Sequence, residues 1–175
     1  WPQLAVFATA VTEQWAAAAL SGPRARRVLA KIVDIDVSND AFPFLAVGAC
    51  RVRTATGPVS ARLLRMSYSG ELAYEINVCA NEARHVWEAL LVAGAKYGIT
   101  PYGTETMHVL RAEKGFVIVG QDTDGSVTPV DLGMDWLIAT GKDFIGRRSL
   151  ARADTARGER KHLVGLLTDD PKAVL

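Results

Sequence analysis

Between positions 68 and 75 the sequence reads Tyr-Ser-Gly-Glu-Leu-Ala-Tyr-Glu, so that two carboxylates and two phenols flank a turn and enter a strand-like stretch. On a strand, residues at even separation share a face. Glu75 therefore leaves with Ala73 and Asn77, while Tyr74 and Ile76 point the other way. One carboxylate can thus be aimed at a cavity, where it would accept hydrogen bonds from a ligand. The competing reading has Glu75 facing water or pairing with a lysine or arginine, and the residues alone leave both open.

The rest of the chemical inventory is thin. None of the three histidines, His85, His108 and His162, has a serine or cysteine nucleophile at a recognisable motif spacing, so they read as solvated or core imidazoles. The run Gly115 to Gly120 lacks the G-x-G-x-x-G pattern and the Gly-Lys-Ser/Thr ending of a phosphate cradle, so no nucleotide, flavin or nicotinamide site is expected here. Cys50 and Cys79 lie in apolar or alternating stretches rather than at metal-ligand spacing. They are expected to be buried free thiols in a reducing cytosol, with no metal site.

The elements that must position these residues can be read from the apolar periods. Val11 to Leu20 reads as a strand stopped by Ser21-Gly22-Pro23, and Arg24 to Val33 as a short amphipathic helix with Ala25, Val28, Leu29 and Ile32 inward. Cys50 to Thr56 and Val59 to Ser67 alternate about Gly57-Pro58 as a hairpin would, and a second turn at Ser69-Gly70 precedes the strand Ala73 to Val78. The strongest helix is expected from Asn81 as N-cap, packing through Ala83, Val86, Trp87, Leu90 and Leu91 and ending near Gly98. Thr104 is the expected cap of another helix carrying Met107, Leu110 and Arg111. A loop follows from Gly115 to Pro129, then a helix from Phe144 to about Ala153 capped by Asp143, and a strand-like run from His162 to Leu167. Strands and helices in irregular alternation predict an α+β fold with an antiparallel sheet.

Composition sets the class. About half of the 175 residues are hydrophobic (49%) and 22% are charged, enough to bury a core without staples. The net charge of +1 comes from interspersed acids and bases, which gives no footprint for DNA or RNA. The opening Trp1-Pro2-Gln3 has no basic leader, and no stretch reaches the ~18 apolar residues of a membrane span. A cytoplasmic chain excised from a longer one is expected.

The segment Tyr68 to Glu75 resembles the tyrosine–glycine–glutamate motif of the aminomethyltransferase (glycine-cleavage T-protein) family. Pro101-Tyr-Gly-Thr-Glu-Thr-Met-His-Val-Leu-Arg-Ala-Glu-Lys-Gly115 is similar to the family's glycine to leucine-arginine-x-glutamate segment. It is followed in order by Gly120-Gln121-Asp122, Thr128-Pro129 and Lys142-Asp-Phe-Ile-Gly-Arg147. Within the family, Glu113-Lys-Gly-Phe116 and Asp122-Thr-Asp-Gly125 look most like the carboxy-terminal folate region of sarcosine oxidase alpha subunits and dimethylglycine oxidases.

The resemblance implies a partial tetrahydrofolate-binding domain over residues 1–155 and the start of a barrel-like domain over 156–175, the sequence being truncated at both ends. It implies that Glu75 contacts the pterin, with Tyr68 its accompanying tyrosine and Arg111 its binding arginine. A carboxylate suits this role, because a pterin presents a ring N–H beside an exocyclic amine and both can donate to one carboxylate. Arg111 could equally order the pocket wall by pairing with Glu113 or an aspartate. The family's catalytic aspartate would precede Trp1, and neither Asp34 nor Asp36 occupies its motif, so no catalytic residue is expected in this fragment. In such oxidases a flavin elsewhere oxidises the N-methyl amine, and the folate domain captures the one-carbon unit as 5,10-methylenetetrahydrofolate. FAD, FMN and NAD would then be held outside this sequence, and the other oxidase subunits would be its partners. The rival expectations are a free-standing aminomethyltransferase and a non-catalytic folate-binding or structural module. An iron–sulfur maintenance protein of the same family is disfavoured, because Phe116 stands where its cysteine would be.

Overall fold

Four segments alternating small apolar and polar residues form four antiparallel strands in the computed structural model, which describes residues 3–170. They are β1 (Trp15–Ser21), β2 (Val47–Thr54), β3 (Gly57–Leu64) and β4 (Ala73–Cys79), in the spatial order β1-β4-β3-β2. Helices α1 (Ala25–Leu29), α2 (Ala83–Gly94) and α3 (Thr104–Glu113) complete a compact unit that ends at Phe116. This is the α+β architecture with an antiparallel sheet that the sequence pattern predicts.

One sheet face makes the core. Leu20 of β1, Val52 of β2, Leu63 of β3, and Tyr74, Ile76 and Val78 of β4 are buried in one cluster with Val28 and Leu29 of α1 and Val86 and Leu90 of α2. Tyr74 is fully buried, and its hydroxyl accepts a hydrogen bond from Arg26 Nε at 2.9 Å, which offsets the desolvation of the phenol. On the opposite face Ala17, Ala19, Ala49, Arg51 and Arg62 are exposed. Arg62 lies over the Trp15 ring at 4.4 Å from its centroid.

The two sheet edges differ. The outer edge of β2 is covered: Val33 bridges Val52, Arg53 N donates to Ile32 O at 2.6 Å, and Arg51 N donates to Asp34 Oδ1 at 2.7 Å. That return of the chain is why α1 ends at Leu29 rather than at Val33 as its period predicts. The other edge is β1.

Several expected boundaries move. The hairpin turns at Ala55-Thr56, not at Gly57-Pro58, because Gly57 (φ 125°) already pairs with Thr54 as the first residue of β3. Asn81 does not cap α2: residues Ala80–Glu82 form a tight 3-10 turn, and the Asn81 amide donates to Glu82 Oε1 at 3.3 Å. Trp87 is 44% exposed, so α2 packs through Val86 and Leu90 and the expected core role of Trp87 is corrected. Gly103, not Thr104, holds the cap position of α3. Cys50 is buried, and burial, with Asp34 nearby, pushes its thiol up to about 11. Cys79 is exposed at the end of β4, against expectation, because it falls on the uncovered face.

The second unit, from Val117, is built mostly of loops and short 3-10 turns, with one helical turn, α4 (Ala153–Ala156). The expected helix from Phe144 does not form, since Gly146 sits at φ 95° in the left-handed region and a 3-10 turn, Arg147–Ala151, begins only after it. Residues 162–167 form no strand; their recorded main-chain bond runs from Leu163 N to Asp131 O at 2.8 Å. Residues 171–175 of the element expected there lie outside the described ones. No helix among the described residues is long and apolar enough to cross a membrane.

Candidate functional site

Glu75 sits mid-strand in β4, in register with Ala19 of β1 on one side and Leu64 of β3 on the other. Its side chain leaves from the face opposite the core, as the even-spacing rule requires, and is half-buried. Among the described residues it forms no ion pair and no side-chain hydrogen bond. Among the described residues, no lysine or arginine pairs with Glu75. A half-buried, unpartnered carboxylate retains both oxygens for donors from outside the chain.

The Tyr68–Glu75 segment is fixed from two directions. Ser69 is buried, and its hydroxyl meets that of Ser21 at 2.9 Å, while Gly22 N donates to Leu72 O at 2.9 Å, which ties the turn to the end of β1. From the other side α3 closes on it. The Tyr68 ring meets His108 edge to face, with centroids 6.4 Å apart. Lys114, at the carboxy-terminal end of α3, runs its stem over Gly70 and places Nζ 3.4 Å from Glu71 Oε1. Tyr68 is 39% exposed. Arg111 lies on α3 three residues beyond His108, on the same helix face, and its Nη1 donates to Phe116 O at 3.1 Å.

The fold thus brings the Tyr68–Glu75 segment and the α3 segment together, although Tyr68 and Glu75 make no hydrogen bond to each other. His108 and Lys114, which the sequence presents as an ordinary helical histidine and a surface lysine, join the two segments. The usable signal for His108 was its three-residue spacing from Arg111.

A cavity of about 630 Å³ lies where α2 packs along β1, lined by Ala17 to Ala25 of β1 and the following turn, by Trp87 and Leu90 of α2, and by Tyr97 to Thr104 and Met107. Tyr68, Glu75 and Arg111 do not line it, but Ala19, the register partner of Glu75, does.

In the second unit the motif Thr128-Pro129 belongs to a buried ionic clasp that sequence reasoning did not find. Asp131 accepts hydrogen bonds from Thr128 N at 2.7 Å and Thr128 Oγ1 at 2.9 Å, and from Arg160 Nε at 2.7 Å and Nη2 at 2.6 Å. The Arg160 fork, followed by the Thr128 amide, holds the Asp131 carboxyl well below the usual carboxylate range. Arg160 also binds Ser126 O at 2.5 Å and Asp154 O at 3.0 Å, so every charge in the clasp is answered within its own unit. Its role is to hold chain segments together rather than to offer a free group. Among the described residues, no group of three or more His, Cys, Asp or Glu side chains could hold a metal ion.

The site is thus an antiparallel α+β unit that displays a half-buried carboxylate, without a partner among the described residues, near a tyrosine-bearing turn. Residues 1–142 match the GCVT N-terminal domain, and the chain belongs to that family. It is 55% identical over 171 residues to the sarcosine oxidase subunit alpha of Corynebacterium sp. (strain U-96), a match that covers 97% of this chain and 17% of that protein. It is 34% identical over 164 residues to the human mitochondrial dimethylglycine dehydrogenase, covering 91% of this chain and 18% of that one. It is 31% identical over 155 residues to the aminomethyltransferase of Halothermothrix orenii, covering 88% of this chain and 42% of that one. The chain therefore spans less than a fifth of the length of its sarcosine oxidase relatives.

Proposed function

We propose that this chain is the tetrahydrofolate-binding part of a sarcosine oxidase alpha subunit, which captures the one-carbon unit released by oxidative demethylation as 5,10-methylenetetrahydrofolate. The observation that carries the reading is Glu75, a half-buried carboxylate with no partner among the described residues, displayed beside the Tyr68 turn. It suits the ring N–H and exocyclic amine of a pterin, which can donate in parallel to one carboxylate. Tyr68 would flank the pterin, and Arg111 would serve the same pocket from α3. The identity of 55% to a protein named sarcosine oxidase subunit alpha, against 31% to an aminomethyltransferase, favours the oxidase over the free-standing transferase.

In this reading residues 1–155 belong to the folate-binding domain and 156–175 open the next one. The whole enzyme is a cytoplasmic oxidoreductase, with FAD, FMN and NAD and the remaining subunits contributing outside this chain. When bound, the reduced folate supplies the amine nitrogens that accept the one-carbon unit. The residues of this chain bind and orient it.

Calorimetric titration of the full-length protein with tetrahydrofolate tests the reading. The wild type should bind. Glu75→Gln keeps the shape but sets an amide N–H against a pterin donor, which should weaken binding at least about tenfold. The flavin half-reaction with the amine should stay near normal. A wild-type protein that does not bind tetrahydrofolate would refute the proposal, and unchanged affinity in Glu75→Gln would move the pterin contact elsewhere.

A further inference from the structure

Ser69, Leu72 and α3 hold the Tyr68–Glu75 segment from beyond the turn, but the chain enters that turn from β3, and its hold there has no role so far. β3 pairs with β4 only from Ala61 opposite Val78 to Leu64 opposite Glu75. Leu64 is thus the last residue of β3 tied to the strand of Glu75. From Arg65 to Leu72 no strand pairing joins the chain to β4, so the path of these residues decides where Tyr68 stands relative to Glu75.

Arg65 supplies the hold. Its main chain adds one more pair on the β2 side, with Arg65 N donating to Ala46 O and Leu45 N donating to Arg65 O, both at 2.9 Å. Its guanidinium reaches further along the same segment, where Nη1 donates to Phe42 O at 2.8 Å. Phe42 is a firm anchor. It is buried in the core, and its ring packs so close to Gly48 that a Cβ there would lie 3.2 Å from Cε2.

Between the anchor and the ladder the chain reverses at Leu45, which sits at φ 67° in the left-handed region. That region disfavours a leucine, and left alone Leu45 would relax out of it and withdraw its N–H from Arg65 O. The bond from Arg65 to Phe42 O closes the segment at its other end and opposes the relaxation.

Two further costs fall at the same place. Arg65 Nε and Ser67 Oγ are buried without a hydrogen-bond partner among the described residues, and each forfeits its hydration. A chain selected for stability alone would avoid one strained leucine and two unanswered polar atoms in the segments that lead into Tyr68. Such costs are kept where a geometry is needed.

We propose that Arg65 is a positioning residue of the folate site: through Phe42 O it holds the Leu45 reversal closed, and so fixes the place from which Tyr68 faces a ligand held by Glu75. Arg65 acts through the chain, with no ligand contact of its own. This role rests on the folate reading above.

The test uses the full-length protein, with tetrahydrofolate affinity measured by calorimetry and amide hydrogen exchange by mass spectrometry on each variant. Arg65→Met keeps the stem and removes the donor. It should weaken tetrahydrofolate about tenfold or more. It should also speed exchange in peptides covering residues 43–47 and 65–70, while residues 75–79 of β4 stay as protected as in the wild type. Arg65→Lys, which returns a cationic donor to Phe42 O, should recover affinity to within about threefold of the wild type. Unchanged affinity in Arg65→Met overturns the role. A loss accompanied by faster exchange in β4, or an Arg65→Met that does not fold, also overturns it, because Arg65 would then be a general support of the fold. A loss that Arg65→Lys leaves in full does the same. Wild-type protein that binds no tetrahydrofolate refutes the folate reading itself, and this role falls with it.

Discussion

Arg160 grips Asp131 with both arms of its fork, Nε on Oδ1 at 2.7 Å and Nη2 on Oδ2 at 2.6 Å, in a site where Asp131 is only 5% exposed. The folded state lowers this carboxyl relative to the unfolded one, so the contribution of the clasp to stability is fully present above the ordinary aspartate range of about 3.9. It is lost as pH falls below that range towards the depressed folded value. The amide shift of Thr128, whose N–H donates to Asp131 Oδ2, should report this in an NMR titration with a midpoint clearly under that of a free aspartate. A midpoint near about 3.9 would show that the fork is not formed in solution.

Gly70 combines a left-handed conformation, φ 79°, with the Lys114 stem where its Cβ would stand. Gly70→Ala must strain the backbone and push Lys114 aside, which should cost about 1–3 kcal/mol in denaturant unfolding. It should also disturb the Tyr68 turn. Breaking the Lys114–Glu71 pair alone, by Glu71→Gln, should cost under about 1 kcal/mol, since both side chains are well exposed. Equal costs for the two variants would mean that the ion pair, not the close approach, anchors the turn.

On α2 the buried and exposed apolar residues should separate sharply. Leu90 is 4% exposed, and Leu90→Ala should cost about 2–5 kcal/mol in urea unfolding. Trp87 is 44% exposed and borders the cavity, so Trp87→Ala should cost about 1 kcal/mol. A larger loss at Trp87 than at Leu90 would contradict the packing of this helix.

The strands and their faces were legible in the sequence because the period of two is local: Tyr74, Ile76 and Val78 turn inward and Glu75 outward as the alternation requires. The helix boundaries were not, because they answer to distant partners. Arg24 to Val33 has a helical period throughout, yet Val33 leaves the helix to bridge Val52. Trp87 has the right spacing for the core, but the wall it would pack against is a cavity. The motif residues Tyr68, Glu75 and Arg111 could be named from their order along the chain. The contacts of His108 with Tyr68 and of Lys114 with Gly70 could not, since they depend on how α3 crosses the end of the sheet. The Asp131–Arg160 clasp joins residues far apart in sequence with no motif linking them.

The strand order β1-β4-β3-β2 also bears on how the sheet assembles in time. β2 and β3 are joined by the two residues Ala55-Thr56, and β3 reaches β4 through residues 65–72, so these three strands can zip locally. β1 pairs with β4 only after residues 22–72 have been closed into a loop, an entropic cost that precedes any contact on that strand. Pairing of β1 should therefore be the late step. In pulsed hydrogen exchange during refolding, the amides shared by β1 and β4 should gain protection after those of the β2–β3 hairpin, and simultaneous protection would count against this order.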